Sequence, residues 1–569
     1  MEWVQNYDPL GQPMLSSLLA AVPSFVLLGL LLAGMPAIRA AAAGLATAVV
    51  VSIAAFKMPV SAVAAAACYG GCFGLMPIGW IILSAVFFFQ LTIRSGQFDI
   101  VKRWVTTISP DRRMQALLIA FCFGTLLEGV AGFGAPVAIS AALLIGVGFP
   151  PFYAAVLTLL ANTAPVAFGS LGIPIIALAD VSGIDKMALA QMAGRQLPLF
   201  AVLIPAWMVG IMSGWKGIKA CWPAILVCGG SYGLLQFLIS NYRGLMVVGI
   251  VSGFGSLGAM VVFMRFWRPK DVWRFPGEPV TSPVSSNDSR GQSAAHPAGL
   301  SPAAVAYAWA PWVLLALVVI AWGSCQKILD GVNLDESHNA LHGISKRSIP
   351  VRYLDGLVYR TGPVVNVPSG SNHAEKAEKA VYDLNWLSTP GTGIFLAAIL
   401  AAIWLRIGAR AFVAEFIATL VRIRWALVTI ACMLALAYVT RYSGADATMG
   451  LAFTRTGWLY PLFAAMLGWV GVAVTGSDTS CNALFGSLQR ITAEQLHLNS
   501  TLIVASNSTG GVMGKMIGAQ TIVVAAAATG QSGGEGKILR FIFIHSLILA
   551  LLVGLLTLAQ AYWLTWMIP

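Results

Sequence analysis

Three observations predict an all-α polytopic membrane protein. Of 569 residues, 58% are hydrophobic and only 10% charged, against about 25% charged in soluble domains. Apolar stretches recur along nearly the whole chain, at the ~20 residues a transmembrane helix needs. Twice such a stretch is interrupted by Gly and uncharged polar residues around one carboxylate. The first break reads Gly124-Thr-Leu-Leu-Glu128-Gly-Val-Ala-Gly-Phe-Gly-Ala-Pro136, the second Thr475-Gly-Ser-Asp478-Thr-Ser-Cys-Asn482-Ala-Leu-Phe-Gly486. Polar breaks inside hydrocarbon survive only where they line a cavity or are buried in protein. The expected architecture is therefore about 12 full transmembrane helices plus re-entrant hairpins and broken helices, in two inverted repeats.

Taken in order, residues 1–266 form an N-terminal membrane half. Residues 1–93 supply three spans, 14–34 and 37–56 among them, and lead to a basic loop. Residues 114–196 hold the first interrupted segment, and 197–266 add three ordinary spans at 197–215, 220–240 and 244–266. The Pro/Ser/Gly-rich stretch 267–302 reads as a flexible cytoplasmic linker. One span, 303–324, precedes a polar external insert, 325–388, long enough for small secondary structure of its own. The C-terminal half, 389–569, holds spans at 391–407, 425–439 and 458–474, the second repeat at 458–530, and a closing helix at 541–566.

The net charge of +12 is concentrated in short loops: Arg94, Lys102, Arg103, Arg112 and Arg113; Lys216 and Lys219; Arg265, Arg268, Lys270 and Arg274; Arg406, Arg410, Arg422 and Arg424. That distribution fits basic loops on the cytoplasmic side rather than nucleic-acid binding, and it places the Lys/Arg-free N-terminus outside. The first span lacks the charged flank of a cleaved signal peptide and is expected to be retained, in a bacterial inner membrane. Eight Cys show neither metal spacing nor a disulfide framework. No metal or cofactor is expected; the partners implied are membrane lipid and a small solute.

Each acid-bearing break is followed by an Asn that opens another: Asn162-Thr-Ala-Pro165 and Asn507-Ser-Thr-Gly-Gly511. The order suggests a helical hairpin followed by a discontinuous helix in each repeat. Free N–H groups and positive dipole ends at broken helices favour an anion, and Asn, Ser and Thr add hydrogen bonds without fixed charge. A small carboxylate suits that chemistry better than an apolar solute. Glu128 and Asp478 are the candidate proton-coupling acids, because an intramembrane carboxyl is costly to ionise and can carry a proton reversibly. The alternative is permanent pairing with a cation, or capping of a hairpin helix. Glu128, closing an apolar run, is the favoured carrier; Ser477, Thr479 and Ser480 can keep Asp478 ionised or make it a cap. Lys515 is a counter-cation for the solute, a partner for Asp478, or a snorkelling side chain. Gly132, Gly134, Asn162, Thr163, Ser477, Thr479, Ser480, Asn482, Asn507, Ser508 and Thr509 complete the expected binding set, with helix–helix hydrogen bonding as the competing role of the polar members.

Other features carry less. Gly253-Phe-Gly255-Ser-Leu-Gly258 matches a dinucleotide fingerprint but lies in an apolar span, where small residues serve packing. His338 and His342, near Asp335 and Glu336, read as a solvated face rather than a metal site. His545 reads as a hydrogen-bonded structural group, with a proton relay as its alternative. Asp180, Asp185, Lys186 and Arg195 read as loop charges. Arg441 either steers an anion or anchors a span end.

The same residues resemble the L-lactate permease family of bacterial carboxylate transporters. The likeness lies in Ser95-Gly-Gln-Phe-Asp-Ile100, Glu128-Gly-Val-Ala-Gly-Phe-Gly-Ala-Pro136, Asn162-Thr-Ala-Pro-Val-Ala-Phe-Gly169 and Gly194-Arg-Gln-Leu-Pro198. It continues in Gly476-Ser-Asp-Thr-Ser480, Asn482-Ala-Leu-Phe485, Thr509-Gly-Gly-Val512, Gly514-Lys-Met-Ile517 and the terminal Leu564-Thr-Trp-Met-Ile-Pro569. It spans the chain except the 275–300 linker and the 325–388 insert. The resemblance implies proton symport of small 2-hydroxy monocarboxylates, chiefly lactate with glycolate accepted. The wider superfamily suggests a mid-membrane site with elevator-like movement. The chain departs from the family pattern at Cys481 (usually Ser), Met513 (usually Thr) and Gly518-Ala519 (usually Ser-Pro), which bears on substrate preference. A Na⁺-coupled carboxylate transporter on the same fold is the alternative. An intramembrane enzyme would need a nucleophile with its base, or a metal cluster, and the spans hold no such constellation.

Overall fold

The computed structural model describes residues 2–33, 35–106, 109–130, 135–276, 301–329, 347–361, 364, 377–378, 380–384, 386–387, 389–531 and 534–569. Among them, eight helices are long and apolar enough to cross a membrane, or up to nine if one bent pair is a single span. Many of their apolar side chains face outward, Phe25, Val50, Leu234 and Leu317 among them, as hydrocarbon surroundings require. The chain is a predominantly helical multi-pass membrane protein, with two minor sheets among the described residues.

A short strand, β1 (Trp3–Val4), precedes α1 (Pro13–Leu32) and α2 (Ala37–Ala54). The helix α3 (Val60–Phe73) continues through a widened turn at Gly74–Gly79, where Met76 leaves helical geometry, into α4 (Trp80–Arg94), and α5 (Gln97–Thr106) follows. The first hairpin starts at α6 (Arg112–Gln115), capped by Asp111, whose carboxylate accepts from the backbone N–H of Arg113 and Met114. It runs through a π-helical stretch, Ala116–Phe123, into α7 (Gly124–Val130). The return limb is α8 (Ala135–Gly146); a methyl at Gly124 would meet Ser140 Oγ at 3.2 Å, so the limbs lie side by side.

The next element is broken. Helix α9 (Pro151–Ala161) ends at Asn162, and after a 3₁₀ turn (Val166–Phe168) the chain leaves as α10 (Gly169–Ser182), bent by 64°. Ser170, Leu171 and Gly172 all have positive φ, so the helical part of α10 starts beyond them.

The 57-residue α11 (Lys186–Tyr242) reverses at Gly214 (φ 64°, ψ −164°). A methyl at Gly233 would meet Pro198 O at 3.0 Å, and one at Gly210 would meet Ile218 Cδ1 at 3.2 Å, so its two arms pack antiparallel. At 1.5 Å per residue each arm is about 40 Å long, enough to cross a ~30 Å hydrocarbon core. The two arms hold the separate stretches 197–215 and 220–240. In α12 (Val248–Phe266), Gly253 admits the backbone of Leu126, with a methyl there only 2.7 Å from its Cα. The fingerprint match is thus a helix-packing surface.

After α13 (Pro302–Leu329) come β2 (Arg347–Pro350), β3 (Val358–Tyr359) and β4 (Val381–Leu384). β1 pairs in parallel with β3, and β2 pairs antiparallel with β4. Most of the linker (277–300), and the stretch with Asp335, Glu336, His338 and His342, lie outside the described residues. The C-terminal half begins with α14 (Pro390–Trp404), α15 (Ala409–Ser443) and α16 (Ala445–Phe453).

The second hairpin joins α17 (Tyr460–Thr475) to α18 (Asp478–Gln495). Its tip uses the positive φ of Gly476, where glycine has no Cβ penalty, and Ser477 caps α18 by accepting from Ser480 N–H. Helix α19 (Ser500–Gly514) follows, then a 3₁₀ turn, Lys515–Ile517, and α20 (Ala519–Ala528); α21 (Glu535–Tyr562) closes the bundle. Here one expectation fails. The Asn507–Gly511 stretch does not break a helix; it lies inside α19, and the break comes at Lys515–Gly518, where Gly518 turns extended (ψ 128°). The small residues instead let α19 press on α17: methyls at Gly510 and Gly514 would strike the carbonyl oxygens of Ala465 and Trp469.

Two charges expected in loops, Arg195 and Asp180, are structural, and so is Arg441. Arg195 lies within α11, where its guanidinium donates to Asn241 Oδ1 at 2.9 Å and to Met567 O at 3.1 Å. Asp180 accepts from the Tyr438 hydroxyl. Arg441 does more than anchor a span end: it donates to the carbonyls of Asp180 and Val181 and lies 3.5 Å from Glu378 of the insert. Asp185 does sit in a connection, as the cap of α11. His545 accepts from Trp207 Nε1 at 3.1 Å, a hydrogen-bonded histidine as favoured.

Candidate functional site

The two interrupted segments interlock, each break against the other's hairpin. Asn482 of α18 donates to Pro174 O of α10 at 3.1 Å, and Arg490 donates to Ser182 O at 2.7 Å. Reciprocally, Lys515, at the second break, lies 3.8 Å from Glu128 Oε1 of the first hairpin. The junction encloses a cavity of about 810 Å³. Its wall includes Glu128, Gly169 and Ser170 from the first interrupted segment, Ser477, Asp478, Thr479, Ser480 and Lys515 from the second, and Arg39 and Trp425 from flanking helices.

The two acids are held differently. Asp478 Oδ2 accepts from the Ser508 hydroxyl at 2.6 Å, while Oδ1 has no hydrogen-bond partner among the described residues. Gly511 is bare beside it; a methyl there would meet Oδ1 at 2.7 Å. Glu128, only 2% exposed, has Lys515 on one oxygen and no hydrogen-bond partner on Oε2 among the described residues. Asn162 stands beside that carboxylate without a hydrogen bond of normal geometry. So Lys515 pairs with Glu128, where pairing with Asp478 had been the alternative. At about 4 Å and an effective dielectric of ~20, two unit charges attract by about 4 kcal/mol. Desolvation costs several kcal/mol per ion, so the charged pair adds no net stability.

The remaining expected residues divide by position. Ser477, Thr479 and Ser480 face the cavity. Behind the wall, Asn507 Nδ2 donates to Asn482 Oδ1 at 2.9 Å, and Gln489 Nε2 donates to Asn507 Oδ1 at 3.1 Å. The Thr509 hydroxyl donates to Gln196 Oε1 at 2.6 Å, and Thr163 donates to Leu160 O at 2.7 Å. The first three are the helix–helix bonds set against a binding role, and the Thr163 bond is local. Gly132 and Gly134 lie outside the described residues. Sequence reasoning passed over Arg39 and Ser170 in the wall and Gln196 and Tyr232 behind it. Gln196 lies within Gly194-Arg-Gln-Leu-Pro198, the one available signal.

The arrangement can accept an anion beside Lys515, offer hydroxyls and hairpin-tip N–H groups, and exchange a proton at either acid. Among the described residues no group of three or more His, Cys, Asp or Glu could hold a metal ion.

Comparison with known proteins gives the context. The family model described as L-lactate permease matches residues 16–564. The chain is 43% identical over 568 residues to an L-lactate permease of Escherichia coli (strain K12), covering 100% of both chains. It is 43% identical to the glycolate permease GlcA of the same strain, over 100% of this chain and 99% of that one. An L-lactate permease of Bacillus subtilis (strain 168) is 41% identical over 100% of both. A solved structure of Neisseria gonorrhoeae MtrF, described with a class of antimetabolite efflux pumps, aligns at 12% identity and TM-score 0.40 over 86% of this chain and 82% of that one; nothing rests on that likeness. With a family match over almost the whole chain and full-length relatives at 41–43% identity, the chain belongs to the L-lactate permease family, whose members are membrane transporters and not enzymes.

Proposed function

We propose that this chain is a secondary active transporter that imports L-lactate and related small 2-hydroxy monocarboxylates, glycolate and D-lactate among them, by proton symport across a bacterial inner membrane. The observation that carries the reading is the Glu128–Lys515 pair, buried in a cavity wall to which both repeats contribute. A lone ammonium beside a protonatable carboxyl suits a monoanion that travels with one proton. Ser477, Thr479 and Ser480 would hydrogen-bond the carboxylate and the 2-hydroxyl. Asn162, Asn482, Asn507, Ser508 and Thr509 would hold the breaks in shape around them. The relatives named for lactate and for glycolate support the substrate class.

On this reading α1, α2, α3 with α4, α9 with α10, the two arms of α11, α12, α13, α14, α15, α19 with α20, and α21 make about twelve crossings. The hairpins α6–α8 and α17–α18 enter as two inverted repeats, in membrane halves 1–266 and 389–569. With the basic loops inside, the cavity residue Arg39 lies in the first turn of α2, at its cytoplasmic end, which supports an inward-facing conformation.

Purified protein in proteoliposomes should accumulate L-lactate under an inwardly directed proton gradient without Na⁺, and unlabelled glycolate should compete. Uptake that requires Na⁺ and ignores the pH gradient would replace proton coupling with sodium coupling.

A further inference from the structure

Glu128 and a transported carboxylate need the same ammonium group. Lys515 Nζ lies 3.8 Å from Glu128 Oε1, with side chains only 10% and 3% exposed. Both line the cavity through which a solute anion would approach. Gly169 closes on the same oxygen: a methyl there would meet Oε1 at 2.9 Å and Cγ at 3.4 Å. The field of Lys515 also reaches Asp478, but that carboxylate is bonded to Ser508 instead. Tyr232, whose hydroxyl has no hydrogen-bond partner among the described residues, is the other titratable group facing Glu128. The second cation in the wall, Arg39, is exposed.

Two carboxylates around one buried ammonium leave one negative charge uncompensated, a costly state away from water. A proton on Glu128 removes that charge and frees Lys515 for the incoming anion. We propose that Lys515 is a counter-ion held in turn by Glu128 and by the substrate carboxylate, so that substrate binds there only after Glu128 has taken up a proton. This rests on the transport reading above and adds an order to it. Loading runs proton first, substrate second. On release the substrate leaves first, and Lys515 reclaims Glu128 as its proton departs. The Glu128–Lys515 centre carries no net charge either empty and deprotonated or loaded and protonated, which lowers the cost of moving it through hydrocarbon. One proton accompanies each monoanion.

The test is calorimetric binding of L-lactate and glycolate to the full-length purified protein between about pH 5.5 and about pH 8.5. Above the titration of Glu128, wild-type affinity should weaken about tenfold per pH unit, with about one proton taken up per anion bound. Glu128→Gln should bind independently of pH, at least as tightly as wild type at the lowest pH. Lys515→Gln should lose at least about tenfold at every pH, and Lys515→Arg should restore much of that loss. The shared counter-ion is overturned if Glu128→Gln keeps the wild-type slope or binds more weakly than wild type throughout. Should that variant fail to fold, the proton count on wild-type protein decides, and a count near zero overturns the proposal. A folded wild type that binds neither anion at any pH overturns the transport reading itself, whereas pH-independent wild-type binding overturns only the ordering.

Discussion

Ser508 and Lys515 give the two intramembrane acids different company, and that difference belongs to single residues. Removing the Ser508 hydroxyl would leave both Asp478 oxygens without a hydrogen-bond partner among the described residues. An unmade bond to a buried polar group costs about 1–3 kcal/mol. Ser508→Ala should therefore lower the Tm in detergent, while Thr163→Ala, which loses only a bond within its own helical segment, should move it much less. Equal shifts would deny Asp478 a special dependence on Ser508. Glu128, Asp478 and Lys515 were legible in the sequence because an ionisable residue in apolar company stands out without any knowledge of its neighbours. The roles of Asn482, Asn507 and Thr509 were not. An amide or hydroxyl that lines a cavity looks the same in sequence as one that ties two helices, and their partners, Gln489 and Gln196, are distant in the chain or on another helix. Arg195 looked like a loop charge for a similar reason: its acceptors, Asn241 and Met567, lie far along the chain.

At the scale of elements, the two breaks differ more than their sequences suggest. Asn162 ends α9, with Pro165 and a left-handed stretch from Ser170 to Gly172 preventing continuation. Asn507 has its side chain satisfied by Asn482 and Gln489, so the surrounding backbone stays helical until Lys515. Local composition cannot separate these cases, because Gly can either interrupt a helix or let another helix approach. Gly510 does the second. Gly510→Ala should force α19 from α17 and cost about 1–3 kcal/mol, as overpacking does. Gly258, in α12 with nothing within 4 Å of where a methyl would sit, is the control: Gly258→Ala should be neutral or stabilising by up to about 1 kcal/mol. Thermal unfolding of both variants, followed by tryptophan fluorescence, reads the difference. A Gly510→Ala protein as stable as Gly258→Ala would contradict the close approach of the two helices.

Across the whole molecule, regions far apart in sequence meet around the interlocked hairpins and breaks. Gln5 donates to the carbonyls of Arg441 and Tyr442, and Tyr382 of β4 donates to Met76 O, so the N-terminal segment and the insert dock on the helical bundle. The multi-pass class followed from composition, and the two acid-bearing breaks stood out by their shared residue order. That each hairpin meets the other segment's break was not legible, since it depends on contacts hundreds of residues apart. Those contacts bring Glu128 to Lys515 where the halves join. The most direct measurement compares accumulation with exchange in proteoliposomes containing Glu128→Gln. Accumulation of L-lactate under a proton gradient should be lost, while exchange of external for internal lactate at equal pH continues. Accumulation that persists against the lactate gradient would contradict Glu128 as the sole proton carrier and shift the role to Asp478.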